Sequence, residues 1–177
     1  MSEIIEENIP LRKTVIFSHG KESGPWGLKI SRLAPVAEDL GFAVLSIDYR
    51  GLDDPAERVR MLLEQCPKDD GMTVLVGSSM GGSVSLAAAA TVNPTGLFLM
   101  APAIGIPGYP ELPPLIQVPP TVIVHGWDDI IVPPGPVIGY ARQHRMELSM
   151  VPDGHNLDHS LDFLADRFRR FLSRLAA

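Results

Sequence analysis

Thr73-Val74-Leu75-Val76-Gly77-Ser78-Ser79-Met80-Gly81-Gly82-Ser83-Val84-Ser85-Leu86, continued by four alanines, is the stretch whose reading decides the fold. Thr73 to Val76 is an apolar, β-branched run that predicts a short buried strand. Gly82 through the alanines predicts a well-buried helix. Between them stands G-x-S-x-G, from Gly77 to Gly81. A strand that passes into a helix through so few residues must turn tightly. The serine at the apex takes a strained backbone conformation, and glycine on either side relieves the crowding. Such a turn lifts Ser79 Oγ off the sheet edge and aims the first amides of the helix at a reacting carbonyl.

The same alternation extends in both directions. Thr14–Phe17 predicts a strand that ends at His19-Gly20, followed by a helix over about Leu28–Leu40 that Gly41 stops. Pro35 lies inside that helix, which either kinks there or starts only near Ala34. Ala43–Asp48 predicts the next strand. Asp54-Pro55 then opens a helix to about Gln65, as N-cap and first-turn proline. Leu97–Met100 and Thr121–Val124 are further strands, and a helix over about Pro136–His144 leads to a sixth, Glu147–Val151. Leu157, Leu161, Leu164, Phe168 and Phe171 form one apolar helical stripe at the C-terminus. Strands alternating with helices predict a mostly parallel sheet covered on both faces, with its site at the carboxyl ends of the strands.

One segment breaks the pattern. Pro102 to Pro120 carries seven of the chain's 17 prolines, so no regular helix is expected there. It is either a stiff wall of a pocket or a passive surface connection.

Length and charge narrow the function classes. At 177 residues the chain is expected to form a single domain over residues 1–177. A net charge of −6 argues against nucleic acid or an anionic membrane surface as the main partner. Arg167, Arg169, Arg170 and Arg174 read as the solvated face of the last helix. No run is long enough for a membrane span, and Met1–Asn8 shows no signal pattern. Cys66 is the only cysteine, which excludes an internal disulfide. A cytoplasmic location is the expectation.

An activated serine needs a histidine base, and the histidine needs a carboxylate to orient it. Among five histidines, His155 fits best, because Pro152-Asp153-Gly154-His155 places it on a loop after the sixth strand. His159 is the alternative, less free to reach because it is expected within the last helix. His19 and His125 each precede a glycine at a strand end, where a ring usually holds loop backbone. The loop directly after the fourth strand, Ala101 to Ile106, contains no acid. His125-Gly126-Trp127-Asp128-Asp129-Ile130-Ile131-Val132-Pro133, after the fifth, offers two, and spacing alone does not separate Asp128 from Asp129.

Taken together these motifs resemble the α/β-hydrolase superfamily, especially its small bacterial serine esterases without a cap domain, from Thr14 to the final helix. The resemblance implies an α/β-hydrolase fold: a mostly parallel sheet of about six strands, helices on both faces and no cap. The stretch from His125 to Pro133 is similar to the family's H-G-x-x-D-x-x-V-P, which places the acid at Asp129. His19-Gly20-Lys21 is similar to the family's oxyanion loop, implying the backbone amides of Met80 and Lys21 as donors, with Glu22 the alternative to Lys21. The chain departs from larger members by lacking the first two strands (only Ile4 and Ile5 suggest one) and the helix in the proline-rich stretch. Trp26, Met100, Tyr109 and Trp127 are candidates to line an acyl pocket, although large apolar residues are equally expected in the core.

The expected activity is hydrolysis of small or medium carboxylic esters or thioesters through an acyl-enzyme on Ser79, His155 and Asp129. No metal or other cofactor is required. Acyl transfer to an alcohol, or a non-catalytic ligand-binding role on the same scaffold, are the alternatives. The expected partner is a small-molecule ester or thioester.

Overall fold

Nearly every apolar run in the sequence becomes a strand at the centre of one sheet. In the computed structural model, residues 11–68, 71–107, 109, 112, 114 and 117–177 are described; Ile4 and Ile5 lie outside them. The order is β1 (Lys13–Ser18), α1 (Leu28–Asp39), β2 (Ala43–Ile47), α2 (Pro55–Gln65), β3 (Met72–Ser78), α3 (Met80–Val92), β4 (Gly96–Met100), β5 (Thr121–Gly126), α4 (Pro134–His144), β6 (Glu147–Val151) and α5 (Leu161–Leu175). The six strands lie in the order β2-β1-β3-β4-β5-β6, and every pairing is parallel. This is the α/β-hydrolase fold, with no helix among the described residues between β4 and β5.

Central parallel strands are buried on both sides, so they read as unbroken apolar runs. Side-chain alternation divides them between two cores. Val15, Phe17, Val74, Val76, Phe98 and Met100 point to the layer with α1 and α5. Ile16, Leu75, Leu97, Leu99 and Ile123 point to the layer with α2, α3 and α4.

The strand order places the site. From β1 the chain runs through α1 to the edge strand β2, then returns past β1 to β3 and continues the other way. Neighbours β1 and β3 therefore send their following helices to opposite faces, which opens a crevice at their carboxyl ends.

α1 starts at Leu28 rather than near Ala34, and two other helices begin away from their expected positions. α1 runs through Pro35 without ending. Ile30, Leu33, Ala34, Val36 and Ala37 are all buried against the sheet, and that packing outweighs one missing amide. α4 begins two residues earlier, at Pro134. α5 begins at Leu161, because Leu157 turns left-handed at φ 57° and a short 3₁₀ turn, Asp158–Ser160, intervenes. Leu157 is nonetheless fully buried in the core. The C-terminal arginines are paired: Arg167 and Arg174 with Glu147, Arg169 with Asp39 and Arg170 with Asp166. Among the described residues no helix is long and apolar enough to cross a membrane.

Gly126, the last residue of β5, lies against the loop that follows β6. A Cβ there would overlap the carbonyl of Asp153 and stand 2.8 Å from that of Gly154. Gly139, within α4, has open space around it. Gly126→Ala is expected to lower unfolding free energy by about 2–4 kcal/mol in urea titration. Gly139→Ala is expected to raise it by about 0.5–1 kcal/mol through helix propensity.

Candidate active site

The turn from β3 into α3 is as tight as its glycines suggest. Ser79 sits at φ 53° and ψ −119°. A Cβ on Gly77 would overlap the carbonyl of Gly81, and one on Gly81 would overlap that of Ser18 in β1. Ser79 is pinned through both of its flanking peptide groups: its N–H donates to the Met100 carbonyl (3.0 Å), and its carbonyl accepts from Ala103 N–H (2.9 Å). Met80 is the first residue of α3, so its N–H has no acceptor within the helix.

His155 reaches this serine from the loop after β6. Its Nε2 is 2.9 Å from Ser79 Oγ, and its Nδ1 is 2.8 Å from Asp129 Oδ2. A carboxylate accepts, so Nδ1 carries the proton and the Nε2 lone pair faces the serine hydroxyl. Asp129 is completely buried at its side chain. Its Oδ1 accepts from the amides of Ile131 (2.9 Å) and Val132 (2.8 Å), which fixes the carboxylate plane. His125 Nε2 lies 3.4 Å from Asp129 Oδ2 and donates to the Val132 carbonyl at 2.9 Å. Burial lowers the His125 pKa, and its buried Nδ1 has no hydrogen-bond partner. Asp128, the adjacent acid, is exposed, and its N–H donates to the Asp153 carbonyl. His159 lies in the 3₁₀ turn with its ring 90 % exposed, beside Asp153 rather than Ser79.

Supports for these groups come from residues that the sequence reading passed over. Asp153 accepts from Gly154 N–H (2.8 Å), His159 N–H (3.0 Å) and Ser160 Oγ (2.9 Å), so it folds the loop that carries His155. Burial works against its charge. The hydrogen bonds from Ser160, Gly154 and His159 prevail and hold the carboxyl below the ordinary 3.8. Lys29, in the first turn of α1, donates its Nζ to the Asn156 carbonyl at 2.9 Å and ties the same loop to the opposite wall.

The turn after β1 is held from behind. His19 Nδ1 donates to the Gly20 carbonyl (2.7 Å) and its Nε2 accepts from Tyr49 N–H (2.9 Å). Burial lowers its pKa, which suits a neutral ring in that role. Arg58 of α2 is 1 % exposed and donates to the carbonyls of Leu52, His19 and Gly20, with its guanidinium 5.2 Å from the Tyr49 ring centre. A signal for Arg58 does exist in the sequence: it stands one helical turn before Leu62 and two before Cys66, on the stripe that turns inward.

A cavity of about 700 Å³ opens over Ser79 and His155. Lys21, Glu22, Lys29, Tyr109, Ile131 and His159 are in its wall. Tyr109 thus makes the proline-rich segment part of the wall. The other three pocket candidates lie elsewhere. Met100 is fully buried in the core beneath α1 and α5, because alternation along β4 turns it to that face. Trp26 and Trp127 are more than half exposed and outside the cavity wall. Among the described residues no group of three or more His, Cys, Asp or Glu is placed to hold a metal ion. The arrangement is one that can move a proton from a serine hydroxyl to an imidazole and stabilise the resulting positive charge with a buried carboxylate.

Comparison with known proteins agrees with this fold. The Alpha/beta hydrolase family matches over residues 15–176. A solved structure of the α/β hydrolase superfamily from Xanthomonas campestris pv. campestris is 34% identical, with a TM-score of 0.85 over 92% of this chain and 99% of that one. A serine hydrolase without a lid, also from Xanthomonas campestris, superposes with a TM-score of 0.68 at 21% identity, over 96% and 85% of the two chains. An esterase from Pyrococcus furiosus superposes with a TM-score of 0.76 at 18% identity, over 93% and 83%. Comparison with curated proteins gives no match.

The Asp153 network carries a pH signature. A carboxyl whose native pKa lies below its unfolded value adds stability above that unfolded value and loses it as the pH falls through the native one. Asp153→Asn is therefore expected to be less stable than wild type at pH 7, with the gap in urea midpoint closing as pH falls below 3.8.

Proposed function

Because the chain belongs to the alpha/beta hydrolase family, we propose that it is a serine hydrolase that cleaves small or medium carboxylic esters or thioesters through an acyl-enzyme. The observation that carries this reading is the hydrogen-bond chain from Ser79 Oγ through His155 to Asp129, at 2.9 and 2.8 Å.

In the first half-reaction Ser79 Oγ attacks the carbonyl carbon while His155 Nε2 takes its proton. Asp129 holds the ring in the required tautomer and stabilises the imidazolium. Negative charge develops on the carbonyl oxygen, where the amides of Met80 and of Lys21 or Glu22 are the proposed donors. Donors fixed before charge appears are effective because they need no reorganisation, and removing one typically costs about 10²–10³ in rate. His155 then hands its proton to the leaving oxygen or sulfur. In the second half-reaction a water attacks the acyl carbon while His155 takes its proton, and His155 returns that proton to Ser79 Oγ as the acyl–oxygen bond breaks and the acid leaves.

Two measurements test the assignment. Ser79→Ala should abolish hydrolysis of p-nitrophenyl acetate, and equal rates for the two proteins would reject Ser79 as nucleophile. Asp129→Asn should lower kcat about 10²–10⁴-fold, whereas Asp128→Asn should stay within about twofold. Since the base must be neutral to accept a proton, kcat/KM should also fall on acidification, with a single-proton slope.

A further inference from the structure

A second cavity lies beside the first. It measures about 220 Å³ and runs between the opening turns of α2 and α3. Ala56 and Val59 line it from α2, Val84 and Ala87 from α3, and Tyr109 and Leu112 from the proline-rich segment. Among the described lining residues Ser83 is the other polar one besides Tyr109, and its hydroxyl is already donated to the Ala103 carbonyl. Among the described residues no charged side chain lines the groove, so the ligand its described wall suits is hydrocarbon.

Its position relates it to the nucleophile. α2 and α3 both start at carboxyl ends of strands, on the side of the sheet where Ser79 stands. α3 begins at the residue after Ser79, so Ser83 is about 6 Å and Ala87 about 12 Å farther along the helix axis. Tyr109 belongs to the walls of both the groove and the cavity over Ser79. That ring therefore stands between the two spaces.

The chemistry sets which half of an ester lies there. His155 must protonate the leaving group, so the alcohol occupies the side of the site formed by the His155 loop, with Gly154, Asn156, Asp158 and His159. The acyl half then points away from His155, toward α2 and α3.

We propose that this groove is the acyl-chain subsite and that it selects medium-length acyl groups, with Tyr109 at its entrance. The proposal rests on the serine-hydrolase reading above. An apolar chain entering the groove gains up to about fourfold in kcat/KM for each methylene withdrawn from water.

The experiment compares p-nitrophenyl acetate, butyrate, hexanoate and octanoate in wild type, Ala87→Leu and Ala56→Leu. The two substitutions fill the groove from opposite walls at positions that are not buried. Wild type should prefer hexanoate to acetate by about tenfold or more. Both variants should lose most of that preference while acetate hydrolysis stays within about twofold, which also shows that they fold. A parallel series of acetate esters with alcohols of increasing length should respond to neither substitution. A flat acyl profile in wild type with Ser79-dependent acetate turnover would overturn the groove and leave the hydrolase reading standing. Loss of preference along the alcohol series instead would overturn it equally. Absence of Ser79-dependent turnover on every ester would reject both.

Discussion

A strand can hand a serine to the start of a helix only if the backbone reverses within a residue or two, and the space for that reversal comes from missing side chains. At Ser79 the chain accepts a positive φ that few non-glycine residues adopt, a conformation that costs about 1–3 kcal/mol and persists only where the surroundings enforce it. Here the enforcement is close approach. Gly77 lies against the carbonyl of Gly81, and Gly81 against that of Ser18, so β1, β3 and α3 meet backbone to backbone. Bonds to Met100 and Ala103 close the turn from the β4 side. The rest of the site is arranged around that fixed point.

The imidazole is held with the same economy from the far side of the sheet. Gly126 permits the loop after β6 to lie on the end of β5. Asp153 folds that loop from within, and Lys29 ties it across the cavity to α1. Three histidines then serve two different ends. His19 and His125 are buried rings that brace carbonyl groups of neighbouring turns, whereas His155 is partly exposed at the cavity and its Nε2 lone pair accepts from the Ser79 hydroxyl. What distinguishes them is surroundings rather than residue type.

Much of this was legible in the sequence. Parallel strands buried on both faces leave unmistakable apolar runs, and a glycine-flanked serine between strand and helix locates the crevice. His155 was legible because it follows a strand on a short loop. Side-chain direction was not. Spacing does not separate Asp128 from Asp129 and only the resemblance favours Asp129; the turn puts Asp129 against His155 while Asp128 faces water. Met100 illustrates the same limit: strand alternation turns it into the core beneath α5, away from the cavity. Trp26 and Trp127, large enough to suggest a pocket, lie exposed outside its wall. Arg58 was readable from its helical stripe, although its partners, three backbone carbonyls, carry no sequence signal.

The central claim is that Ser79, and no other hydroxyl, is made nucleophilic by His155. The most direct measurement is covalent labelling by an alkyl fluorophosphonate, followed by intact-mass and peptide mapping. The account predicts one adduct per chain, on Ser79, forming at least about 10³-fold more slowly in His155→Ala. Labelling that falls on another residue, or proceeds at an unchanged rate in His155→Ala, would contradict it.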